Sequence, residues 1–208
     1  MQRYLLAILS ALTIAGCSPA HKESTVLVVI ETSRGNITLE LYPEAAPLTV
    51  SNFLAHVEAG HFNDTQFYRT VRPDNDRPEA RIDVIQGGVD FDGLPEASPI
   101  AHERTDETRL THRRGAISMA RDEPGSATTE YFIVINDSFI LDAGPHGRHP
   151  DGEGFAVFGY VVDGIEVAED IWQSPVSDDG APDGFETQWL TPAIEVMRIR
   201  TVGDDGGR

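Results

Sequence analysis

Short apolar runs separated by turn residues recur along most of this 208-residue chain. Residues 26–31 form a β-branched run, residues 32–36 are turn residues, and residues 37–41 alternate apolar with polar side chains, which predicts a β-hairpin. Six further runs have the composition of strands: 66–71, 82–86, 115–120, 131–135, 155–162 and 194–200. Helical spacing of apolar residues is confined to two segments, 47–60 and 164–172. This pattern predicts a mainly β fold, either a barrel or a sandwich.

The amino terminus has the layout of a secretory signal. One positive charge precedes an apolar stretch, and small residues then lead to Cys17, the chain's only cysteine. The stretch is shorter than the roughly 20 apolar residues that a spanning helix needs. The segment ending at Cys17 resembles the lipobox of bacterial lipoproteins. That resemblance implies a lipoprotein signal peptide over residues 1–16 and a lipidated tether over residues 17–25. The alternative is an ordinary signal peptide with a coincidental cysteine.

Lipidation would also determine where the protein resides. Two or more acyl chains on Cys17 would anchor the protein stably without a spanning helix. Ser18 follows the cysteine, and the sorting rule of enteric bacteria disfavours the outer membrane mainly for Asp at that place. We therefore expect a periplasm-facing lipoprotein of the bacterial cell envelope, in the outer rather than the inner membrane. The membrane is a partner through the lipid, because an acidic chain avoids anionic headgroups.

The charge and length of the chain exclude one class of partner and suggest one domain. Acidic residues number 34 against 16 Lys and Arg, a formal net charge of −18. Nucleic-acid binding relies on clustered basic residues, so no nucleic-acid partner is expected. Removing residues 1–16 from 208 leaves 192, enough for one domain with its own core. Without a further thiol, hydrophobic burial must stabilise that domain. We expect a monomer.

Several motifs occur in a fixed order across nearly the whole mature chain. They are a helix start at residues 47–53, Phe67-Tyr68-Arg69, Gln86-Gly87-Gly88, residues 115–120, residues 131–133, Leu141-Asp142 and residues 157–159. In this order they resemble the cyclophilin-type peptidyl-prolyl cis/trans isomerases. The resemblance implies a domain over residues 26–202, built as a closed antiparallel β-barrel capped by two α-helices. It further implies an external substrate groove and no cofactor. Residues 203–208 are expected to be a disordered tail.

The reaction that the resemblance implies needs a fixed cation and no nucleophile. Amide resonance gives a peptide bond a rotation barrier of about 18–20 kcal/mol. As an X-Pro amide twists, the proline nitrogen becomes pyramidal and gains a lone pair, which a guanidinium can stabilise. The resemblance gives the catalytic role to Arg69 and makes Gln86 the residue that holds the arginine and the substrate backbone. Taken alone, Arg69 is more typical of a surface ion pair.

The resemblance also implies a surface that binds peptide. Met119, Phe132 and Leu141 match positions that line a proline pocket. Ala120 and the backbone of Arg121 match a segment that pairs with the substrate residue before proline, and such main-chain pairing tolerates many sequences. Each apolar residue of this set is also compatible with a place in the core. Further substrate contacts are expected from Phe67, Val84, Ile140 and Phe155.

Three positions depart from the family pattern. Asp83 stands where the family has an apolar residue, usually Phe, so either the pocket lacks an aromatic wall or Ile82 fills it. The family's tryptophan position falls on Ile140, or on Phe139 if the register slips by one, which predicts weak binding of cyclosporin-like macrocycles. Phe155 replaces a histidine or tyrosine. Three functions stay open. The first is an isomerase that assists the folding of exported, proline-containing proteins, and the second is a catalytically weak peptide-binding or chaperone module anchored to the envelope. The third is a structural envelope protein whose groove is unused.

The histidines suggest no metal centre. His146 and His149 share one loop, but two flexible ligands fall short of the three or four that a zinc site usually has. We therefore expect no metal. His102 and His112 lie in another loop, and the sequence indicates no partner for either.

Overall fold

The structure, a computed structural model, describes residues 24–89, 94 and 97–203. The expected signal peptide, Cys17 and residues 18–23 of the tether lie outside the described residues, as do residues 204–208 of the expected tail. Within the described ranges, no helix is both long and apolar enough to cross a bilayer.

A closed barrel of eight antiparallel strands dominates the described chain. The strands are β1 (Val26–Thr32), β2 (Gly35–Leu41), β3 (Thr65–Val71), β4 (Val84–Gly88), β5 (Ala116–Met119), β6 (Tyr131–Val134), β7 (Ala156–Asp163) and β8 (Trp189–Thr201). Their spatial order is β1-β2-β7-β5-β6-β4-β3-β8, and β8 pairs with β1 to close the ring. The prediction of a mainly β, closed antiparallel barrel is confirmed, and the sandwich is excluded.

Three helices accompany the strands in the described ranges: α1 (Pro47–Glu58), α2 (Thr105–Thr108) and α3 (Ile165–Trp172). The two longer ones are those that apolar spacing predicts. Helix α1 begins with a proline in its first turn, and Gly60 follows its end with φ of +72°. The third, α2, is a single turn that ends at Arg109 in the left-handed region. Four residues are too few to show a helical repeat, so the sequence pattern does not reveal it.

The first turn of α1 is capped from a distant loop. Ala46, the N-cap residue, has no side chain that can accept a hydrogen bond. Glu103 supplies the missing acceptors: its carboxylate accepts from the backbone N–H of Leu48 at 3.0 Å and of Thr49 at 2.8 Å. The Thr49 hydroxyl donates to the same carboxylate at 2.6 Å. A negative charge at a helix N-terminus is also favoured by the helix dipole. The contact ties the long loop before β5 to the barrel.

A β-bulge in β3 determines which side chains leave the barrel interior. Against β4, Phe67 pairs with Gly87 whereas Arg69 pairs with Gln86, and the register against β8 shifts at the same place. Tyr68 is the extra residue. Strand residues two apart normally face the same side. Here Phe67 is fully buried in the interior core, whereas Arg69 meets Gln86 on the outside.

Two apolar clusters lie on opposite sides of the sheet. The interior core is centred on aromatic rings: Phe53 of α1 lies 5.2 Å from Phe158 and 5.7 Å from Tyr131, centroid to centroid. The second, which we call the outer cluster, packs on the outer face of β4, β5, β6 and β7. Its buried members are Val71, Ile82, Val84, Ala116, Phe132, Val134, Leu141, Val157 and Tyr160.

A buried histidine packs against the outer cluster. His112 is completely buried, and its ring stacks on Phe132 at 5.9 Å between centroids and an interplanar angle of 11°. Asp142 accepts from the His112 backbone N–H at 2.9 Å and from Nδ1 at 2.6 Å. A carboxylate only accepts, so Nδ1 carries the proton. Burial lowers the pKa of His112 and favours the neutral ring, in which Nε2 accepts from the Ser118 hydroxyl at 3.0 Å. His112, without an evident partner in the sequence, therefore joins three segments of the wall.

Replacing Glu103 with alanine should destabilise the domain. Removing the acceptors of a helix N-terminus costs about 0.5–2 kcal/mol of unfolding free energy. Urea unfolding of Glu103→Ala should show that loss, with an unchanged denaturant slope. Glu107→Ala, an exposed glutamate of the same loop, is the matched control and should unfold like wild type. Equal stability of Glu103→Ala and wild type would contradict the capping role.

The stability of the domain should depend on the protonation of His112. Burial lowers the pKa of His112 below its usual 6.5, although the hydrogen bond to Asp142 opposes the shift. Below pH 6.5 the unfolded chain binds a proton that the folded chain does not, so the unfolding free energy falls as pH decreases. The slope for one such group is at most about 1.4 kcal/mol per pH unit.

Urea unfolding between pH 7.5 and 5.0 tests this dependence. His112→Gln, which cannot titrate, should lose stability less steeply with decreasing pH than wild type. His146→Gln, an exposed histidine, is the control and should keep the wild-type slope. The same slope for His112→Gln and wild type would show that His112 does not contribute to it.

Candidate functional site

An open groove of about 340 Å³ lies on the outside of the barrel, beside the bulge in β3. One part of its lining is polar and includes Arg69 and Gln86, and the other is apolar and belongs largely to the outer cluster. Of the residues expected at the site, the structure places eight along this groove: Arg69, Val84, Gln86, Ala120, Arg121, Phe132, Leu141 and Phe155.

The guanidinium of Arg69 is held on two sides by neutral amides. Its Nη1 donates to Gln86 Oε1 at 2.8 Å. Its Nε and Nη2 both donate to Gln188 Oε1, at 2.9 and 2.7 Å. The Phe185 ring covers one face, with its centroid 4.6 Å from Cζ. A guanidinium has five N–H donors, so these bonds leave one donor on Nη1 and one on Nη2 for a ligand.

Arg69 keeps its charge in this setting. Burial lowers the pKa of Arg69 to about 10, which still leaves the guanidinium protonated at neutral pH. Among the described residues, no carboxylate lies within ion-pair distance of it. A partly desolvated cation without a counter-ion interacts strongly with any negative charge that develops nearby.

Gln86 connects Arg69 to a second hydrogen-bonded group. Its oxygen accepts from Arg69, and its Nε2 donates to the Tyr68 hydroxyl at 2.8 Å. Tyr68 in turn donates to a carboxylate oxygen of Glu130. Burial raises the pKa of Tyr68, so the phenol stays protonated and can donate. This chain of bonds fixes which end of the Gln86 amide faces Arg69.

Two aromatic rings and several aliphatic side chains form the apolar part of the groove. Phe132 and Phe155 meet edge to face, with centroids 5.6 Å apart and an interplanar angle of 86°. Val84, Leu141 and Ile82 add aliphatic walls. Such a pocket takes up apolar surface while the neighbouring Arg69 meets a polar atom.

The Arg121 side chain holds neighbouring loops together, whereas its backbone N–H stays available at the groove. The side chain donates to Asp151 at 2.8 and 3.1 Å and to the Gly154 carbonyl at 2.8 and 2.6 Å. Its guanidinium also lies 5.1 Å from the Phe155 ring centroid. In the part of the chain that the structure describes, no acceptor receives the Arg121 backbone N–H. That group is therefore available to an extended peptide.

Three residues expected to touch a ligand lie elsewhere, which corrects the sequence-based assignment. Phe67 and Met119 point into the barrel and are at most 1% exposed. Met119 pairs with Tyr131, an interior residue, and pairs of facing strand residues share one side of a sheet. Ile140 is partly buried against the outer cluster and does not line the groove, although its neighbour Leu141 does.

Asp83 does not enter the groove. Its carboxylate accepts from the Asn136 side chain at 3.0 Å, whereas its neighbours Ile82 and Val84 line the groove. Of the two expectations for this position, the structure supports the one in which Ile82 fills the wall. Asp83 therefore has no contact through which it neutralises Arg69.

Sequence reasoning missed the residues that complete the setting of Arg69. Gln188 and Phe185 come from the loop after α3, which has no periodic pattern and no similarity to the quoted motifs. The motif around Arg69 includes Tyr68 but does not reveal that its hydroxyl links Gln86 to Glu130. Gln188 lies close to Arg69 because the next residue, Trp189 of β8, pairs with Arg69 of β3.

No metal centre is formed by the described residues. They include no group of three or more His, Cys, Asp or Glu side chains placed to hold an ion. His149 instead contacts Asp151, with 2.9 Å between Nδ1 and Oδ2.

Comparisons with known proteins place the chain in a family. Residues 27–200 match the family described as cyclophilin-type peptidyl-prolyl cis-trans isomerase. Peptidyl-prolyl cis-trans isomerase A of Dickeya dadantii is 37% identical over 183 residues, covering 86% of this chain and 88% of that protein. Peptidyl-prolyl cis-trans isomerase B of Escherichia coli is 33% identical over 149 residues, covering 70% of this chain and 83% of that protein.

A solved structure supports the fold. The cyclophilin-type isomerase of Cryptosporidium parvum matches with a TM-score of 0.65 at 21% identity, over 86% of this chain and 98% of that one. The same protein was also solved in the presence of the dipeptide Ala-Pro, with a TM-score of 0.62. With the family match over nearly the whole barrel and the identity to the bacterial relatives, this chain belongs to the cyclophilin-type peptidyl-prolyl cis-trans isomerases.

Proposed function

We propose that this domain accelerates cis/trans isomerisation of X-Pro bonds in exported proteins, with Arg69 stabilising the twisted amide. The observation that carries the proposal is the position of Arg69, a charged and oriented guanidinium at the edge of an apolar pocket. The pocket formed by Phe132, Leu141 and Val84 would hold the proline ring. Arg69 would then face the amide nitrogen.

The catalytic step needs no bond to be broken. The ground-state amide is planar, and its nitrogen lone pair is delocalised. When the X-Pro bond twists, the lone pair localises on nitrogen, and one of the two remaining N–H donors of Arg69 can donate to it. Because this bond forms only in the transition state, it raises the rate and not merely the affinity. Donors of this kind are worth about 2.7–4 kcal/mol, a factor of about 100–1000 in rate.

The substrate is proposed to be any extended proline-containing segment. The Arg121 backbone N–H and the Ala120 region would pair with the peptide main chain on the side before proline, which demands little of the side chains. The Cryptosporidium parvum relative, solved in the presence of Ala-Pro, supports a ligand of this class. No cofactor takes part in the proposed step.

The setting of the enzyme is proposed to be the bacterial cell envelope. The signal pattern of residues 1–16 and the lipobox-like segment ending at Cys17 support a lipid-anchored protein facing the periplasm, and Ser18 favours the outer membrane. Slow X-Pro steps limit the folding of exported proteins, which is where such an enzyme would act.

A second function is supported by one specific observation. Phe155 lies in the groove where the family has a histidine or tyrosine, so the pocket lacks a polar group at that wall. A catalytically weak peptide-binding or chaperone module would have the same groove. The position of Asp83, away from Arg69, removes the other reason for this alternative.

Arg69→Ala should lower kcat/KM by about 100-fold or more, since the variant loses the transition-state donor. The measurement is a protease-coupled assay of an Ala-Pro peptide. Arg81→Ala, which removes an exposed arginine next to β4, is the matched control and should keep wild-type activity. Wild-type rates no faster than buffer would leave the peptide-binding alternative. An active Arg69→Ala variant would refute the role of Arg69.

Lipidation at Cys17 has an independent test. Expressed with its own leader in a Gram-negative host, the protein should be extracted from the membrane with an intact mass that begins at Cys17 and includes acyl chains. Cys17→Ser should abolish both the mass increase and the membrane association, because the anchor is the lipid. An unacylated, soluble wild-type protein would contradict the anchor without affecting the proposed catalysis.

A further inference from the structure

The loop of residues 173–188 brings a short turn against the active-site arginine. Within this turn, residues 185–188, the Gln188 N–H donates to the Phe185 carbonyl at 3.0 Å. Two contacts fix the turn to neighbouring segments: the Thr70 N–H donates to the Gln188 carbonyl at 2.9 Å, and Asn75 Nδ2 donates to the Thr187 carbonyl at 2.9 Å. The 185–188 turn is thus bound to the strand that carries Arg69 and to the loop that follows it.

The Gln188 side chain has only one orientation that satisfies its surroundings. Its Nε2 donates to the Asn75 carbonyl at 2.8 Å, so its oxygen must face the guanidinium. There Oε1 accepts from Nε and Nη2 of Arg69. Gln188 is 9% exposed, so water competes little for these bonds. The two donors that it occupies lie on one edge of the guanidinium, which fixes the plane of the group.

The acceptors around Arg69 are amides, although most of the arginines that the structure describes have carboxylate partners. Arg121, Arg148 and Arg200 pair with Asp151, Asp76 and Glu31 at 2.6–2.8 Å. An amide orients a guanidinium as a carboxylate does, but it adds no negative charge. Phe185 covers one face of the group and also lines the groove. The 185–188 turn thus restricts Arg69 without neutralising it.

We propose that Gln188 is a positioning residue that aims Arg69 at the substrate amide without quenching its charge, and that Phe185 completes this setting by covering the guanidinium face. The inference rests on the proposed isomerase function and deepens it. It assigns a role to a loop outside the motifs that identify the family. Its distinctive consequence is that a stronger acceptor at position 188 would hold Arg69 at least as firmly and yet slow the reaction.

Gln188→Glu tests this consequence directly. The new carboxylate keeps an acceptor toward Arg69 but loses the donor to the Asn75 carbonyl. It also places a negative charge on the catalytic cation, so kcat should fall by about tenfold or more with little change in KM. The thermal midpoint should fall, because the introduced carboxylate cannot donate to the Asn75 carbonyl. Activity should recover as pH is lowered far enough to protonate the introduced carboxyl. Gln173→Glu, an exposed position of the same loop, makes the same change of charge and should behave like wild type.

Three results would contradict all or part of the proposal. If Gln188→Glu has wild-type kcat across the pH range, the charge at position 188 does not matter and the proposal is overturned. An equal loss of kcat in Gln173→Glu would also overturn it, because a general change of net charge would then explain the effect. Phe185→Ala should reduce kcat/KM by about threefold to tenfold, as expected for loss of one aromatic contact. Full activity of that variant would remove Phe185 from the account.

A measurement without turnover separates this inference from the proposed function. The Arg69 Nε–H resonance should be visible and slow to exchange with solvent in the wild type, because Gln188 accepts that proton. Gln188→Ala should accelerate its exchange, and Gln188→Glu should retain it with a changed chemical shift. An inactive wild type with a protected Nε–H would defeat the isomerase proposal alone. Unchanged exchange in Gln188→Ala would defeat the positioning role.

Discussion

The bulge at Tyr68 is the constraint on which the site depends. Phe67 belongs to the interior core, and regular alternation would send Arg69 into the same apolar interior. One extra residue in β3 changes the side of the sheet that the following side chains face, so the guanidinium lies on the outer side, opposite Gln86. A cation inside the barrel would have cost far more than the bulge, since burial of an unpaired charge is among the largest penalties in folding. The bulge thus satisfies core packing and places the functional group at once.

Once the bulge has placed Arg69 outside the barrel, two sets of interactions with different roles form the site. Neutral acceptors orient Arg69, and the apolar outer cluster shapes the pocket beside it. His112 links the pocket to the scaffold, since its partner Asp142 follows Leu141 of the groove wall and its partner Ser118 pairs with Phe132 across β5 and β6. Every described contact of Arg69 sets direction without cancelling charge, which suits a reaction whose transition state differs from its ground state mainly at one nitrogen.

Much of the fold could be predicted from the sequence, because alternating apolar runs and turn residues report strands directly. Eight of the expected residues line the groove, because the motifs that contain them lie on neighbouring segments of the barrel. Phe67 and Met119 were assigned to the wrong side of the sheet. A motif gives proximity along the chain, whereas strand pairing and the bulge determine which side of the sheet each side chain faces. Gln188 and Phe185 could not be found, since a loop without periodicity carries no signal of what it will contact. The sequence alone allowed Asp83 to neutralise Arg69, but the structure shows that its carboxylate accepts from Asn136 instead.

The central claim is that Arg69 lowers the barrier to rotation and does more than hold the peptide. Two-dimensional exchange NMR of an Ala-Pro peptide measures cis/trans interconversion on the protein separately from affinity. The account predicts rapid exchange with wild type, and with Arg69→Lys similar affinity but exchange at least about 100-fold slower, because a lysine lacks the fixed planar donors. Equal exchange rates for the two proteins at equal occupancy would contradict the account.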